Sequence, residues 1–393
     1  MLVYLGICAV LAFLAALLAA LLAVPMLASF GFAVPPAPTF HIAFAAGALP
    51  LIFGAIIHFV PVLTRTASPG RPLILLPLVV QPAGLVTPLA LAGVLPGWSL
   101  HAAASVISLA ALILLVWITR RLRATLGTAH PGARWYGAAL LCLFFAVSLV
   151  LVWLAQPESG PSLRLFHLHL NTLGFIGLAA LGTLPVLLPT ALRRPDPGAA
   201  VRLRRDLPIA VGGVVLVAAG AGGGSGGAWL AIVGAAMLLW VVGGNLLAWQ
   251  RTFGLHAIVG AGAAASMLAA TSGLAILLLL GMAHGMGLMT ARPASAAFGA
   301  AFLLPLVTGA LSQLLPVWCH PAADSLQRRL LHERLTWGSR WRAALFLAGG
   351  VWLAFDDSGG WLPVAAGLLL FLIALLRGWL DSPKSSDDNS RSI

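Results

Sequence analysis

Charge is what this sequence has least of. Only 8% of its 393 residues are charged, against about 25% in an ordinary soluble domain. Hydrophobic residues make up 61%. So little polar surface cannot enclose so much apolar mass in water, and lipid must be the solvent for most of the chain. Cysteine is sparse too. Cys8 and Cys142 lie inside apolar runs, and neither they nor Cys319 have a second cysteine at metal or redox spacing. That excludes a disulfide framework and a Cys-x-x-Cys zinc site. No nucleotide-binding glycine motif is present, because Gly222–Gly227 is a short turn without the flanking strand and helix of a phosphate loop. No Ser-His-Asp arrangement is visible, since Asp356 and Asp357 have no histidine near them in sequence. The net charge of +12 does not signal nucleic acid. The basic residues fall between apolar runs and form no face with interleaved aromatics.

What is present is a series of apolar runs near the roughly 20 residues that a membrane-spanning helix needs. The first, 2–26, lacks a basic leader and is long for a signal peptide, so it reads as a retained span. The others are 40–63, 73–95, 101–119, 135–154, 165–189, 208–223, 227–248, 256–282, 296–318, 341–355 and 361–380. The seventh and eleventh are short. The expectation is an all-α polytopic bundle of twelve spans over 1–381, followed by a disordered cytoplasmic tail, 382–393. Lys and Arg concentrate in cytoplasmic loops. With both termini inside, the outer loops hold only Arg164 and Arg292, so 20 of the 22 basic residues face the cytoplasm. A wrong span count would scramble that alternation.

No Asp, Glu, Lys or Arg falls at mid-depth in any of these runs, which lowers the case for an ion-coupled carrier. The polar residues left inside are Gln81, Asn171, Asn245, Gln313, hydroxyls and histidines, with proline at 50, 77, 82, 88, 185 and 305.

The ten histidines sort by side. His130, His320 and His332 read as solvated side chains of basic inner loops. His58 and His256, also at inner ends, leave open a second inner site. The outer side has His41, His101, His167, His169 and His284, of which His101 reads as interfacial. His41 opens the second span, His167 and His169 open the sixth, and His284 precedes the tenth. These three spans also share an inner-end signature, Pro61-Val62-Leu63, Pro185-Val186-Leu187 and Pro316-Val317-Trp318. His41 lies 20 residues before its proline, His167 18 and His284 32. The pattern suggests a threefold repeat of four helices. Neutral imidazole is a common ligand for haem iron and copper, and a histidine in lipid needs a donor, an acceptor or a metal. Headgroup-depth histidines remain the plain alternative. His167 and His169 project about 200° apart on a helix, so they cannot both face one metal. Asn171 shares a face with His167 and is placed to orient its ring.

The stretch Phe166-His167-Leu168-His169-Leu170-Asn171-Thr172-Leu173-Gly174-Phe175-Ile176-Gly177, followed by Gly182-Thr183-Leu184, resembles a signature of proteins related to the catalytic subunit of haem-copper oxidases. Phe40-His41-Ile42-Ala43-Phe44-Ala45-Ala46-Gly47 resembles the opening of that family's second span. The nearest group suggested is the NnrS type, associated with the bacterial response to nitric oxide. The resemblance implies twelve spans in three arcs of four and a haem near the outer face, with His41 and His284 as candidate axial ligands. His167 or His169 would serve a copper or a second haem. It implies a multi-pass protein of the bacterial inner membrane, embedded in lipid, with a respiratory or redox partner and no nucleic acid. The departures are specific. There is no adjacent histidine pair anywhere, the two tyrosines, Tyr4 and Tyr136, are badly placed, and the oxidase proton channels have no carboxylate counterpart. Oxygen reduction coupled to pumping is therefore not expected, and no catalytic residue is assigned. Two other readings stay open: a transporter or channel for a neutral solute, and an accessory or assembly subunit of a respiratory complex.

Overall fold

The computed structural model describes residues 36–380 apart from 157, 159, 290–293, 323–324 and 356–357. The first expected span, the tail, Arg292, Asp356 and Asp357 lie outside the described residues. The chain is a polytopic helical bundle, and the described residues contain no strand.

Among the described residues, ten helices are long and apolar enough to cross a membrane. They are Ala37–Thr64, Arg71–Leu91, Trp98–Ala124, Gly132–Ala155, Gly160–Ala191, Ala199–Gly222, Ala228–Phe253, Gly262–Gly285, Ala294–Cys319 and Ser358–Gly378. These correspond to the expected spans two to ten and twelve. The eleventh is the helix Ser339–Ala354, only 16 residues long. A short amphipathic helix, Leu326–Thr336, connects the tenth span to it.

Two boundaries move. The seventh helix starts at Ala199 rather than 208, because its charged first turns are paired. Arg202 and Asp196 form an ion pair, Arg202 Nε donates to Asn245 Oδ1 at 3.3 Å, and Arg205 pairs with Asp206 at 2.6 Å. A hydropathy criterion stops where those charges begin. The ninth span starts at Gly262 instead of 256, after a separate turn, Leu255–Gly260. The break falls where Gly262 takes φ +22°, and a Cβ there would lie 2.5 Å from Thr336.

The sixth helix is the centre of the bundle. Of its most apolar window 83% is buried, against 33% for the fifth and eighth. It packs on the fifth, seventh, ninth and tenth. The second packs on the third, fourth and fifth, and the tenth on the ninth and eleventh. Large apolar side chains such as Leu109, Phe145, Val215, Trp240 and Leu369 face outward, as lipid-facing surface requires.

The second, sixth and tenth helices each contain a π-helical stretch, Ile42–Ala48, Leu170–Gly177 and Gly299–Leu303. Two have one cause. Pro50 and Pro305 lack the N–H that would bond the carbonyl four residues back. The ladder shifts register just before them, so Leu49 N–H reaches Phe44 O and Leu304 N–H reaches Gly299 O. In the sixth helix polar side chains enter the ladder. Asn171 Nδ2 donates to His167 O at 2.8 Å and Thr172 Oγ1 to Leu168 O at 2.8 Å, and such bonds compete with helical ones. Glycine from neighbouring helices closes on two of these stretches. A Cβ on Gly84 would sit 2.2 Å from Ala45 O, one on Gly273 2.1 Å from Ala301 O, and one on Gly350 2.3 Å from Ala301 N.

The arginine-bearing ends of the helices are tied together. His130 N–H donates to Leu63 O at 2.9 Å, Arg121 reaches Ser68 O at 3.5 Å, and Arg194 reaches Thr252 O at 3.3 Å. His130 and His332 are half-buried there rather than solvated. His130 Nδ1 accepts from Gly132 N–H at 3.2 Å. Arg342 is fully buried. Its guanidinium donates to Leu335 O at 3.0 Å, Ser312 Oγ at 3.3 Å and Trp337 O at 3.3 Å, and lies 4.8 Å over the Phe371 ring. Among the described residues no carboxylate pairs with it.

Two outcomes follow from this packing. Gly273→Val forces a branched side chain onto Ala301 and lowers stability by about 1–3 kcal/mol, read as a fall in the detergent melting temperature. Gly243→Ala, with open space around it, does not lower it. The second concerns pH. Burial, helped by the Arg204 charge, holds the His130 pKa below its ordinary value. The folded state thus binds fewer protons than the unfolded one, and its stability is full above the unfolded pKa of about 6.5 and declines below it. His130→Gln should flatten the loss of melting temperature between pH 7 and 5. A slope of the same sign should remain from His332, whose pKa burial also lowers.

Candidate cofactor site

The site stands where the second and sixth helices begin, at the end of the bundle opposite the arginine cluster. His41 is the last residue before the π stretch of the second helix, and His169 the last before that of the sixth. A π turn widens the helix and re-aims the side chains beside it, and such turns frequently occur at functional sites.

The packing brings His41 and His167 together. Their ring centres are 6.2 Å apart and their planes 20° from parallel. Each ring is oriented by a backbone carbonyl. His41 Nδ1 bonds Ala37 O at 2.7 Å, and His167 Nδ1 bonds Ala146 O, on the fifth helix, at 2.9 Å. A carbonyl only accepts, so in each neutral ring Nδ1 carries the proton and Nε2 keeps its lone pair. That is the tautomer a metal-binding histidine needs when it coordinates through Nε2.

Asn171 lies beside His167. Its Nδ2 donates to the His167 carbonyl and sits 3.3 and 3.4 Å from the two ring nitrogens. The His167 Nδ1 proton is committed to Ala146 O, so of the two ring nitrogens only Nε2 can accept from this amide. Phe40 and Phe44 stack at 6.2 Å, and Phe44 meets Phe298 of the tenth helix edge-on at 6.2 Å. These rings give the pair an apolar border.

The other expected ligands are placed differently. His169 turns to its own helix, Nδ1 bonding Leu165 O at 2.8 Å. His284 occupies the last turn of the ninth helix, is exposed, and bonds Met289 O through Nδ1 at 3.0 Å. The expected axial partnership of His41 was with His284; the ring it meets is that of His167. Among the described residues, no group of three or more His, Cys, Asp or Glu is gathered as a metal site. The donor set is a pair.

The repeat register explains the gap in the tenth helix. Leu49-Pro50-Leu51-Ile52-Phe53-Gly54 and Leu304-Pro305-Leu306-Val307-Thr308-Gly309 match, each glycine is followed seven residues later by the signature proline, Pro61 or Pro316, and the π stretches end at corresponding residues, Ala48 and Leu303. In that register His41 corresponds to Ala296, so the tenth helix supplies no imidazole. The Leu-Pro-Leu repeat is legible in the sequence and would have separated His284 from the other two.

Compared with known proteins, the chain matches no family model and no curated protein.

Proposed function

We propose that this chain is a bacterial inner-membrane protein that binds copper or haem iron between His41 and His167, and uses it to bind, sense or detoxify a small gas such as nitric oxide, or to serve respiration. The observation that carries the proposal is the facing of these two imidazoles from different helices, both oriented through Nδ1. Either centre would be held by the Nε2 lone pairs of His41 and His167, the Nδ1 protons being committed to the Ala37 and Ala146 carbonyls. His169 and His284 do not enter the donor set in this arrangement.

The metal would supply affinity for a small diatomic ligand. The chain's own residues orient the rings through the Ala37 and Ala146 carbonyls, hold His167 through Asn171, and border the site with phenylalanine. The positive-inside rule sets the arginine end in the cytoplasm and this pair toward the periplasmic face. The relation to haem-copper oxidase subunits, NnrS-type proteins included, is part of the proposal. It rests on the two short motifs and on the π-helical stretches that the second, sixth and tenth helices share.

The test is purification of the full chain in mild detergent, with an absorption spectrum and metal analysis. A Soret band or about one metal per chain is expected, and His41→Leu and His167→Leu should each abolish it. Absence of both signals from the unaltered protein rejects the proposal. Asn171→Leu should retain the site with affinity reduced by roughly 10–100-fold, measured by competition with a metal chelator or by haem titration.

A further inference from the structure

We infer that His130 is an acid-released clasp, holding the end of the second helix to the start of the fifth at the arginine end of the bundle. The inference does not depend on the imidazole pair at the opposite end.

The residue bonds in two directions. Its backbone N–H donates to Leu63 O, in the last turn of the second helix, at 2.9 Å. Its ring Nδ1 accepts from the N–H of Gly132, the first residue of the fifth helix, at 3.2 Å. The first N–H groups of a helix have no acceptor within it. Pro131, at the cap position, has no side-chain acceptor to offer, and Gly132 is buried, so this amide relies on the ring. Glycine makes the approach possible. A Cβ on Gly132 would lie 3.1 Å from Gly182 O of the sixth helix, 3.2 Å from His130 Nδ1 and 3.6 Å from Leu63 Cδ1.

The clasp requires a neutral ring. An imidazolium has no lone pair, because both of its nitrogens are donors. Protonation therefore sets two N–H groups against each other. The positive end of the helix dipole, which lies at a helix start, disfavours a cation there as well. The surrounding charges act in the same direction. Arg65 at the end of the second helix, Arg134 in the fifth and Arg204 in the seventh are cationic, and the sixth presents the neutral Gly182 and Thr183. The nearby carboxylates are committed elsewhere, Asp206 to Arg205 and Asp196 to Arg202. Burial first, then the Arg204 charge, holds the His130 pKa below its ordinary value. The clasp is thus closed above the ordinary histidine pKa of about 6.5 and opens as pH falls through the lower folded-state value. The ring is only half-buried, so an imidazolium can turn out to water. His332, also at this end, behaves differently: its Nδ1 donates to Ser312 O at 3.2 Å, a bond that protonation leaves intact.

The experiment is hydrogen–deuterium exchange on the full chain in neutral detergent at pH 7 and pH 5, with rates corrected for intrinsic chemical exchange. A peptide covering 126–134 is compared with one from the middle of the fifth helix, 139–147. Protection in the first should fall about tenfold per pH unit below the ring's pKa, and the second should stay constant. His130→Gln supplies a carbonyl oxygen that accepts without titrating, and should keep its protection at both pH values. His130→Ala removes the acceptor and should lose protection of 126–134 already at pH 7. Equal protection of 126–134 at the two pH values in the unaltered protein overturns the inference. So does the same fall in His130→Gln, which assigns the effect to another group. A fall in both peptides together also overturns it, since that is general unfolding rather than local release.

Discussion

In a lipid interior no solvent replaces a lost backbone hydrogen bond, so every interruption of a helix must be compensated within the protein. The central helices of this bundle are organised by that constraint. Pro50 and Pro305 each remove a donor, and the ladder answers by widening into a π turn. Asn171 and Thr172, inside the widened turn of the sixth helix, satisfy carbonyls with their own side chains. The widened turns then need room, and neighbouring helices provide it with glycine at Gly84, Gly273 and Gly350. His41 adjoins one of these turns and Asn171, beside His167, lies in another, so the geometry of the candidate site follows from how the backbone is satisfied.

The same constraint governs the charged residues. Asp206 and Arg342 are buried, but both lie near helix ends where carbonyls, hydroxyls or an ion pair can receive them. The apolar middle keeps only weak dipoles.

Much of the fold was legible because hydropathy and arginine placement are independent signals that agree along the chain. The helices expected from 40 to 380 are found, the eleventh as a short one. Hydropathy clips the seventh helix because Arg202 is satisfied by Asp196 and Asn245 and Arg205 by Asp206, which composition cannot show. The site was only half legible. His41 and His167 stood out by position at helix starts, and the 200° argument against His167 and His169 sharing a metal agrees with their opposed bonding. Which imidazole His41 would meet was not legible. The tertiary fold that brings the His41 and His167 rings within 6.2 Å decides it, and the longer spacing of His284 is a sign of a different helix.

Arg342 sends its guanidinium to the carbonyls of Leu335 and Trp337, at and just beyond the end of the connecting helix. The eleventh helix thus caps the end of its predecessor with a side chain, beside the left-handed turn residue Gly338. Sliding either segment along the other would strip this buried cation of the carbonyls that receive it, leaving it the Ser312 hydroxyl and the Phe371 ring.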